Sequence, residues 1–274
     1  MIPRHSCFFR HALSQAIASI HQLTNRLDKA RAIRQLVAQL LQTDPQAAAK
    51  LALSLDLSLE RDNIIGLVAR SWGASDPAAA IAWAQDLSQS IGRNRANQEV
   101  ISAWAASDPR AAANFLLAQP QGNLFNNLAG TLAAQWAATD PGGASKWVLE
   151  NLTGQAQNDA VAALAAAWAR KAPVDAANFV ASLPAGTAQN AAVGSILTSW
   201  AASDPKSAAS WVSQFPEGTL RDHSVQNVLI PWAASDPMGA ARWLQGLSQG
   251  STRDAALGAF VGVVAHSDPA TAAA

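Results

Sequence analysis

Apolar side chains fall at fixed intervals along this chain, and the interval is 32 residues. The marker of each turn of the pattern is Asp-Pro, at Asp44, Asp76, Asp108, Asp140, Asp204, Asp236 and Asp268, with Ala172-Pro173 as the one irregular beat. Counted from the Asp as position zero, Ala stands at four and an aromatic residue or Leu at seven: Leu51, Trp83, Phe115, Trp147, Phe179, Trp211 and Trp243. A second aromatic column stands at twenty-eight: Trp72, Trp104, Trp136, Trp168, Trp200 and Trp232, closed by Val264. A strict period of this length means that one supersecondary unit has been copied and stacked.

Each unit predicts two helices. An Asp N-cap followed by Pro at the first helical position satisfies one free amide and removes another, which starts a helix cleanly. Apolar positions four, seven, eight and eleven then give the i, i+3, i+4, i+7 stripe of a short amphipathic helix, ended by Pro120, Pro184 or Pro216 and a Gly at fourteen. The second helix is expected to open on a capping box, clearest from Thr187 to Asn190, Thr219 to Asp222 and Ser251 to Asp254. Its stripe falls at twenty-one, twenty-four, twenty-five and twenty-eight, as in Val193, Ile196, Leu197 and Trp200. Pro231 lies inside one of these helices and removes a hydrogen bond there, which predicts a kink. At Ala172 the cap is lost, and Asp175 in the first turn partly compensates through the helix dipole.

The N-terminal region keeps the spacing in degenerate form, with Ala16, Leu23 and then Ile33, Leu36, Val37 and Leu40. The expected organisation is a lead of residues 1–11 and a single domain over 12–274, an all-α, open α-solenoid of about eight two-helix repeats. The last repeat holds barely one turn of its first helix. Leu257, Phe260, Val261 and Val264 are therefore expected to seek cover from a further repeat or from self-association of two chains.

Composition narrows the function classes. The formal net charge is zero, yet residues 1–43 hold six cations (Arg4, Arg10, Arg26, Lys29, Arg31, Arg34) against Asp28 alone. That asymmetry fits the solvated face of a terminal repeat, the alternative being contact with an acidic partner or a membrane. Cys7 is the sole cysteine, which excludes an internal disulfide and a thiolate metal cluster. No apolar run approaches the ~18 residues of a membrane span, and no secretory leader is evident, which favours the cytoplasm.

The columns themselves carry the candidate chemistry. All ten tryptophans sit inside the apolar stripes, which assigns them to the core. The Asp column is assigned to caps, because helix packing separates successive carboxylates by about 8–10 Å, too far to share a cation. Asn or Asp at position eighteen (Asp62, Asn94, Asn126, Asn158, Asn190, Asp222, Asp254) is expected to close a cap or to meet an indole N–H, the alternative being a ladder that grips a peptide backbone. Arg61, Arg93, Arg221 and Arg253 at position seventeen suggest a partial basic rim, interrupted by Phe125, Gln157 and Gln189. His5, His11, His21, His223 and His266 are scattered, and Asp56, Glu60 and Asp62 form the one acidic cluster, at a turn. No catalytic residue, cofactor or metal is assigned, and no nucleic-acid track is expected.

Asp204, Pro205, Ala208 and Trp211 resemble the start of the first helix in tetratricopeptide repeats, although the period and the residues after the Trp differ. The whole array is similar to α-hairpin solenoids, and its WAxSDPxxAAxW units look like those of uncharacterised bacterial repeat proteins. The resemblance implies a right-handed superhelix with the Asp-Pro helices on its concave face, and a non-enzymatic scaffold for a protein or peptide partner. Positions two, six and nine of that helix point away from the core at 100° per residue. The surface expected to bind comprises Gln85, Asn114, Leu117, Lys146, Leu149, Asn178, Arg242 and Gln245. The alternatives are an enzyme of the α/α-toroid kind and a nucleic-acid-binding solenoid.

Overall fold

A computed structural model describes residues 14–20, 22–53, 59–88 and 90–267. These residues form helices joined by short turns, with no strand among them. Residues 14–20 are helical (α1) and precede α2 (Arg26–Thr43). Short Asp-Pro helices then alternate with longer ones: α3 (Pro45–Leu53), α4 (Leu59–Ser75), α5 (Pro77–Gln85), α6 (Ser90–Ser107), α7 (Pro109–Leu117) and α8 (Asn123–Ala137). The alternation continues with α9 (Pro141–Asn151), α10 (Gly154–Ala169), α11 (Pro173–Ala181), α12 (Thr187–Ser203), α13 (Pro205–Val212), α14 (Thr219–Ser235), α15 (Pro237–Gln245) and α16 (Ser251–Ser267). This is the all-α architecture of neighbouring helix pairs that the period implies.

By proximity the chain divides into two compact units, Met1–Ala112 and Ala113–Ala274. Within the first, α4 packs on both α2 and α6, while α3 and α5 each lie against the long helices that flank them in sequence. Within the second, α8, α10, α12, α14 and α16 pack in succession, and α9, α11, α13 and α15 each sit against the long helices before and after. Each unit is therefore a stack in which a pair buries its apolar stripe only against its neighbours.

The cores follow the columns. The position-four alanines, Ala48, Ala80, Ala112, Ala144, Ala176, Ala208 and Ala240, are all fully buried. Positions twenty-four and twenty-five supply Val68, Ala69, Val100 and Ile101 in the first unit, and Leu132, Leu164, Ile196, Leu197, Val228 and Leu229 in the second. Ile33, Val37 and Leu40 of α2 are buried as the degenerate spacing predicts, and Leu36 is half-buried. Small residues let the long helices approach closely: a Cβ on Gly73 would lie 2.8 Å from the Cα of Val100. One column member is out of character. Asn97 occupies position twenty-one, where other repeats carry Ile65, Val161, Val193 and Val225, and it is buried with neither amide atom hydrogen-bonded.

The corner between repeats is built on one carbonyl. In six repeats the Asp carboxylate accepts the amide of position three at 2.8–3.1 Å, so the N-caps are formed as expected. The residue before each Asp, Thr43, Ser75, Ser107, Thr139, Ser203 or Ser235, donates its hydroxyl to the carbonyl at position twenty-eight. The Asp amide donates to that same carbonyl, for example Asp204 N to Trp200 O at 2.8 Å. One dipeptide thus ends one helix and begins the next.

At the irregular beat the backbone of Ala172 (φ −143°, ψ 74°) matches that of Asp140 (φ −141°, ψ 83°), but no side chain caps α11. Lys171 instead extends to the preceding repeat, where its Nζ donates to the Ala138 carbonyl at 2.6 Å.

The start of the long helices differs from the expected capping box. Gly122, Gly186 and Gly218 stand at the N-cap with no side-chain cap bond, so Thr187 and Thr219 are the first helical residues. Gly218 has φ +142°, a conformation that a Cβ would strain, and this turn requirement overrides the preference for a hydroxyl cap. Position eighteen lies one turn further in. There Asp222 accepts from the Thr252 hydroxyl of the next repeat rather than closing a cap or meeting an indole. α14 runs continuously through Pro231. The expectations placed on Asp56, and on the side chains of Glu60, His5, His11, His21 and His266, fall outside the described residues.

Candidate binding grooves

The two Trp columns meet in space. Position twenty-eight of one long helix and position seven of the following short helix are eleven residues apart, and the Asp-Pro corner folds them against each other. Ring centroids lie 5.9 Å apart for Trp72–Trp83, 6.1 Å for Trp136–Trp147, 5.6 Å for Trp168–Phe179, and 5.8 Å for both Trp200–Trp211 and Trp232–Trp243. All five pairs are tilted by 32–38°, the arrangement that the ring quadrupole favours over a stacked sandwich. The core assignment of the tryptophans stands for most of their surface.

The rings also have an outer edge. Between α13 and α15 a groove of about 490 Å³ opens over Trp232 and Trp243. Lys206, Ser210 and Ser213 form one wall, and Arg242 and Gly239 the other, with Asp236 at the end. Between α3 and α5 an equivalent groove of about 360 Å³ opens over Trp72 and Trp83. Its walls are Gln46, Lys50 and Leu53 on one side, and Ala79, Ala82 and Asp86 on the other. The repeat thus builds one floor and varies the walls. A sequence reading that counts each Trp as wholly core misses this, because periodicity says which face a residue takes and not how much of a large ring its neighbours cover.

The outward positions are where helical geometry puts them. Positions two, six and nine are exposed in all seven short helices, α3 through α15. Gln85, Asn114, Leu117, Lys146, Leu149, Asn178, Arg242 and Gln245 are each exposed, with Leu117 at 39% and Leu149 at 44% despite being apolar. Of these eight, Arg242 lines a described groove. Lys146 pairs with Glu150 on its own helix at 4.0 Å. Leu53, the position-nine residue of α3, lines the α3–α5 groove and is 40% exposed.

Electrostatics along the face are local. The Ser207 hydroxyl and amide, and then the charge of Lys206, hold the Asp204 carboxyl below the usual carboxylate range. Among the described residues no carboxylate forms an ion pair with Lys206 or Arg242; the Arg242 Nε donates to the Met238 carbonyl of its own helix at 3.3 Å.

At position seventeen Arg93 is a clasp rather than part of a rim. The Arg93 Nε and Nη2 donate to the Leu87 carbonyl at 2.9 and 2.6 Å, tying down the exit from α5. Gln157 and Gln189 do the same for the Leu152 and Leu183 carbonyls at 2.8 and 3.1 Å. These three side chains satisfy the loose carbonyls at a helix end, a role that both Arg and Gln can fill. Arg61 and Arg221 are half-buried, each with its Nε out of contact with solvent.

No three His, Cys, Asp or Glu side chains converge among the described residues, and none of the helices searched is long and apolar enough to cross a membrane. No protein family, curated protein or solved structure was found to match the chain.

Proposed function

We propose that the protein is a non-enzymatic interaction scaffold, and that the face carrying the short helices receives a protein or peptide partner in the manner of tetratricopeptide repeats. One observation carries the reading. The buried columns hardly change from repeat to repeat, whereas the exposed positions six and nine change in nearly every one, from Lys50 and Leu53 to Arg242 and Gln245. A constant core with a varied outward face is how a stacked architecture presents a binding surface. Leu117 and Leu149, exposed and apolar on successive short helices, form its anchor.

The test is retention of a partner by the intact chain used as bait. The double variant Leu117→Glu, Leu149→Glu should lose the partner that the parent retains, with an unchanged far-ultraviolet spectrum. A partner held equally by both chains removes the anchor from the proposal.

A second contact has its own observation. Leu257 is 40% and Val261 48% exposed, whereas the same two positions are buried in α10, α12 and α14. This face of α16 suits packing against another copy, which a concentration series in sedimentation checks.

A further inference from the structure

In the groove between α13 and α15 a concave apolar floor coincides with two cations outside any ion pair among the described residues. Lys206 and Arg242 stand on opposite walls, each exposed and neither in an ion pair among the described residues. Asp236 lies at the end of the groove, but its carboxylate is held by the Gly239 amide at the N-terminus of α15, where the helix dipole offsets its charge. The groove therefore presents two exposed positive charges, neither in an ion pair among the described residues, about an aromatic base. The equivalent groove between α3 and α5 has the same base with different walls. Gln46 and Ala82 replace the two cations, Lys50 faces Asp86, and Leu53 replaces Ser213. The difference lies in the walls alone, so it is a difference in what the groove selects.

We propose that the α13–α15 groove binds an acidic peptide segment, with an apolar side chain laid on Trp232 and Trp243 and flanking carboxylates between Lys206 and Arg242. The occupant follows from complementarity. An apolar group gains from covering the outer edge of the ring pair, and a carboxylate can take the fork of Arg242 without competing with an existing ion pair. A purely apolar segment would leave both cations facing low-dielectric contact, and a cationic one would be repelled. The α3–α5 groove, charge-balanced and walled by Leu53, suits an uncharged apolar residue instead. This assignment rests on the scaffold reading above and names the partner chemistry of one of its sites.

The probe is a fluorescently labelled peptide alternating glutamate with leucine, followed by anisotropy against the full chain. A glutamine-for-glutamate peptide and an oligouridylate serve as competitors. The acidic peptide should bind saturably. The double variant Lys206→Glu, Arg242→Glu, both at exposed positions, should weaken it by about tenfold or more, since two attractions become two repulsions. Lys50→Glu in the sister groove should change the affinity by less than about twofold. The glutamine peptide should compete poorly, and the oligouridylate should not displace the probe.

Binding that survives the double charge reversal overturns the assignment, as does equal binding of the glutamine peptide or no binding of the acidic one. Displacement by oligouridylate that is lost in the same double variant overturns it in favour of nucleic acid. These outcomes leave the scaffold reading standing if Leu117→Glu, Leu149→Glu still releases its partner, so the two failures are told apart.

Discussion

At the corner between α12 and α13, Asp204 accepts the Ser207 amide at 3.1 Å while Ser203 Oγ donates to the Trp200 carbonyl at 3.1 Å. Asp204→Ala should lower stability by about 0.5–2 kcal/mol in urea titrations, and Asp204→Asn, which keeps an acceptor, by much less. The pH dependence has a definite sign. The folded carboxyl titrates below its unfolded value of about 3.9, so its contribution is fully present above that pH and disappears as pH falls through the lower folded value. The stability difference between the parent and Asp204→Ala should therefore be flat near neutrality and narrow below about pH 4. A gap that widens on acidification would contradict the cap. Asn97 works in the opposite direction. Its buried amide has no hydrogen-bond partner where four other repeats place Ile or Val, so Asn97→Val should raise the urea midpoint by an amount worth about 1–3 kcal/mol with the slope unchanged. Loss of stability would show that the amide has a partner in solution.

At the scale of the helix, α11 is the weakest start. Its backbone entry is already that of a capped helix, but Ala172 offers no acceptor, and Asp175 acts only through the first-turn charge. Amide exchange in the first turn of α11 should be faster than in α9 or α13. Ala172→Asp should slow it and stabilise the chain by about 0.5–2 kcal/mol, because the dihedral angles there already suit an Asp. Equal exchange at the three helix starts would mean that the Lys171 bond to the Ala138 carbonyl compensates in full. The short helices owe their length to competing signals. Pro120, Pro184 and Pro216 follow three of them within a few residues, and Arg93, Gln157 and Gln189 take the exposed carbonyls after α5, α9 and α11.

Across the whole molecule the energetics are those of nearest neighbours. Within Met1–Ala112 the long helices α2, α4 and α6 pack in succession, as α8, α10, α12, α14 and α16 do within Ala113–Ala274, with α3, α5, α9, α11, α13 and α15 beside them, so a local defect has few routes outward. Gly73→Ala places a Cβ 2.8 Å from the Val100 Cα, a backbone atom that cannot rotate away. It should cost about 1–3 kcal/mol. Hydrogen exchange should quicken in α4 and α6 and stay near the parent rate in α12 through α16. A uniform acceleration throughout the chain would show that the repeats unfold as a single cooperative block.

Helix pairs, their period, the Asp-Pro starts and the buried columns were all readable along the chain. Each of these follows from spacing within a few residues of one chain segment: Asp before Pro, Ala at four, Val or Leu at twenty-four. The outward set from Gln85 to Gln245 was legible for the same reason, since 100° per residue places a side chain on a face without reference to any neighbour. The Ser or Thr column before the Asp was equally visible, although its bond to the Trp carbonyl was not inferred from spacing. What lies between helices was set by packing and not by spacing along the chain. That Trp232 and Trp243 pair at 5.8 Å, that their edges floor a groove, and that Lys206 and Arg242 face it from two helices depend on how residues some thirty positions apart are brought together. Arg93 is the clearest case. Its charge and its column suggest a rim, but its distance to the Leu87 carbonyl makes it a clasp, and a distance across a turn is set by packing rather than by periodicity.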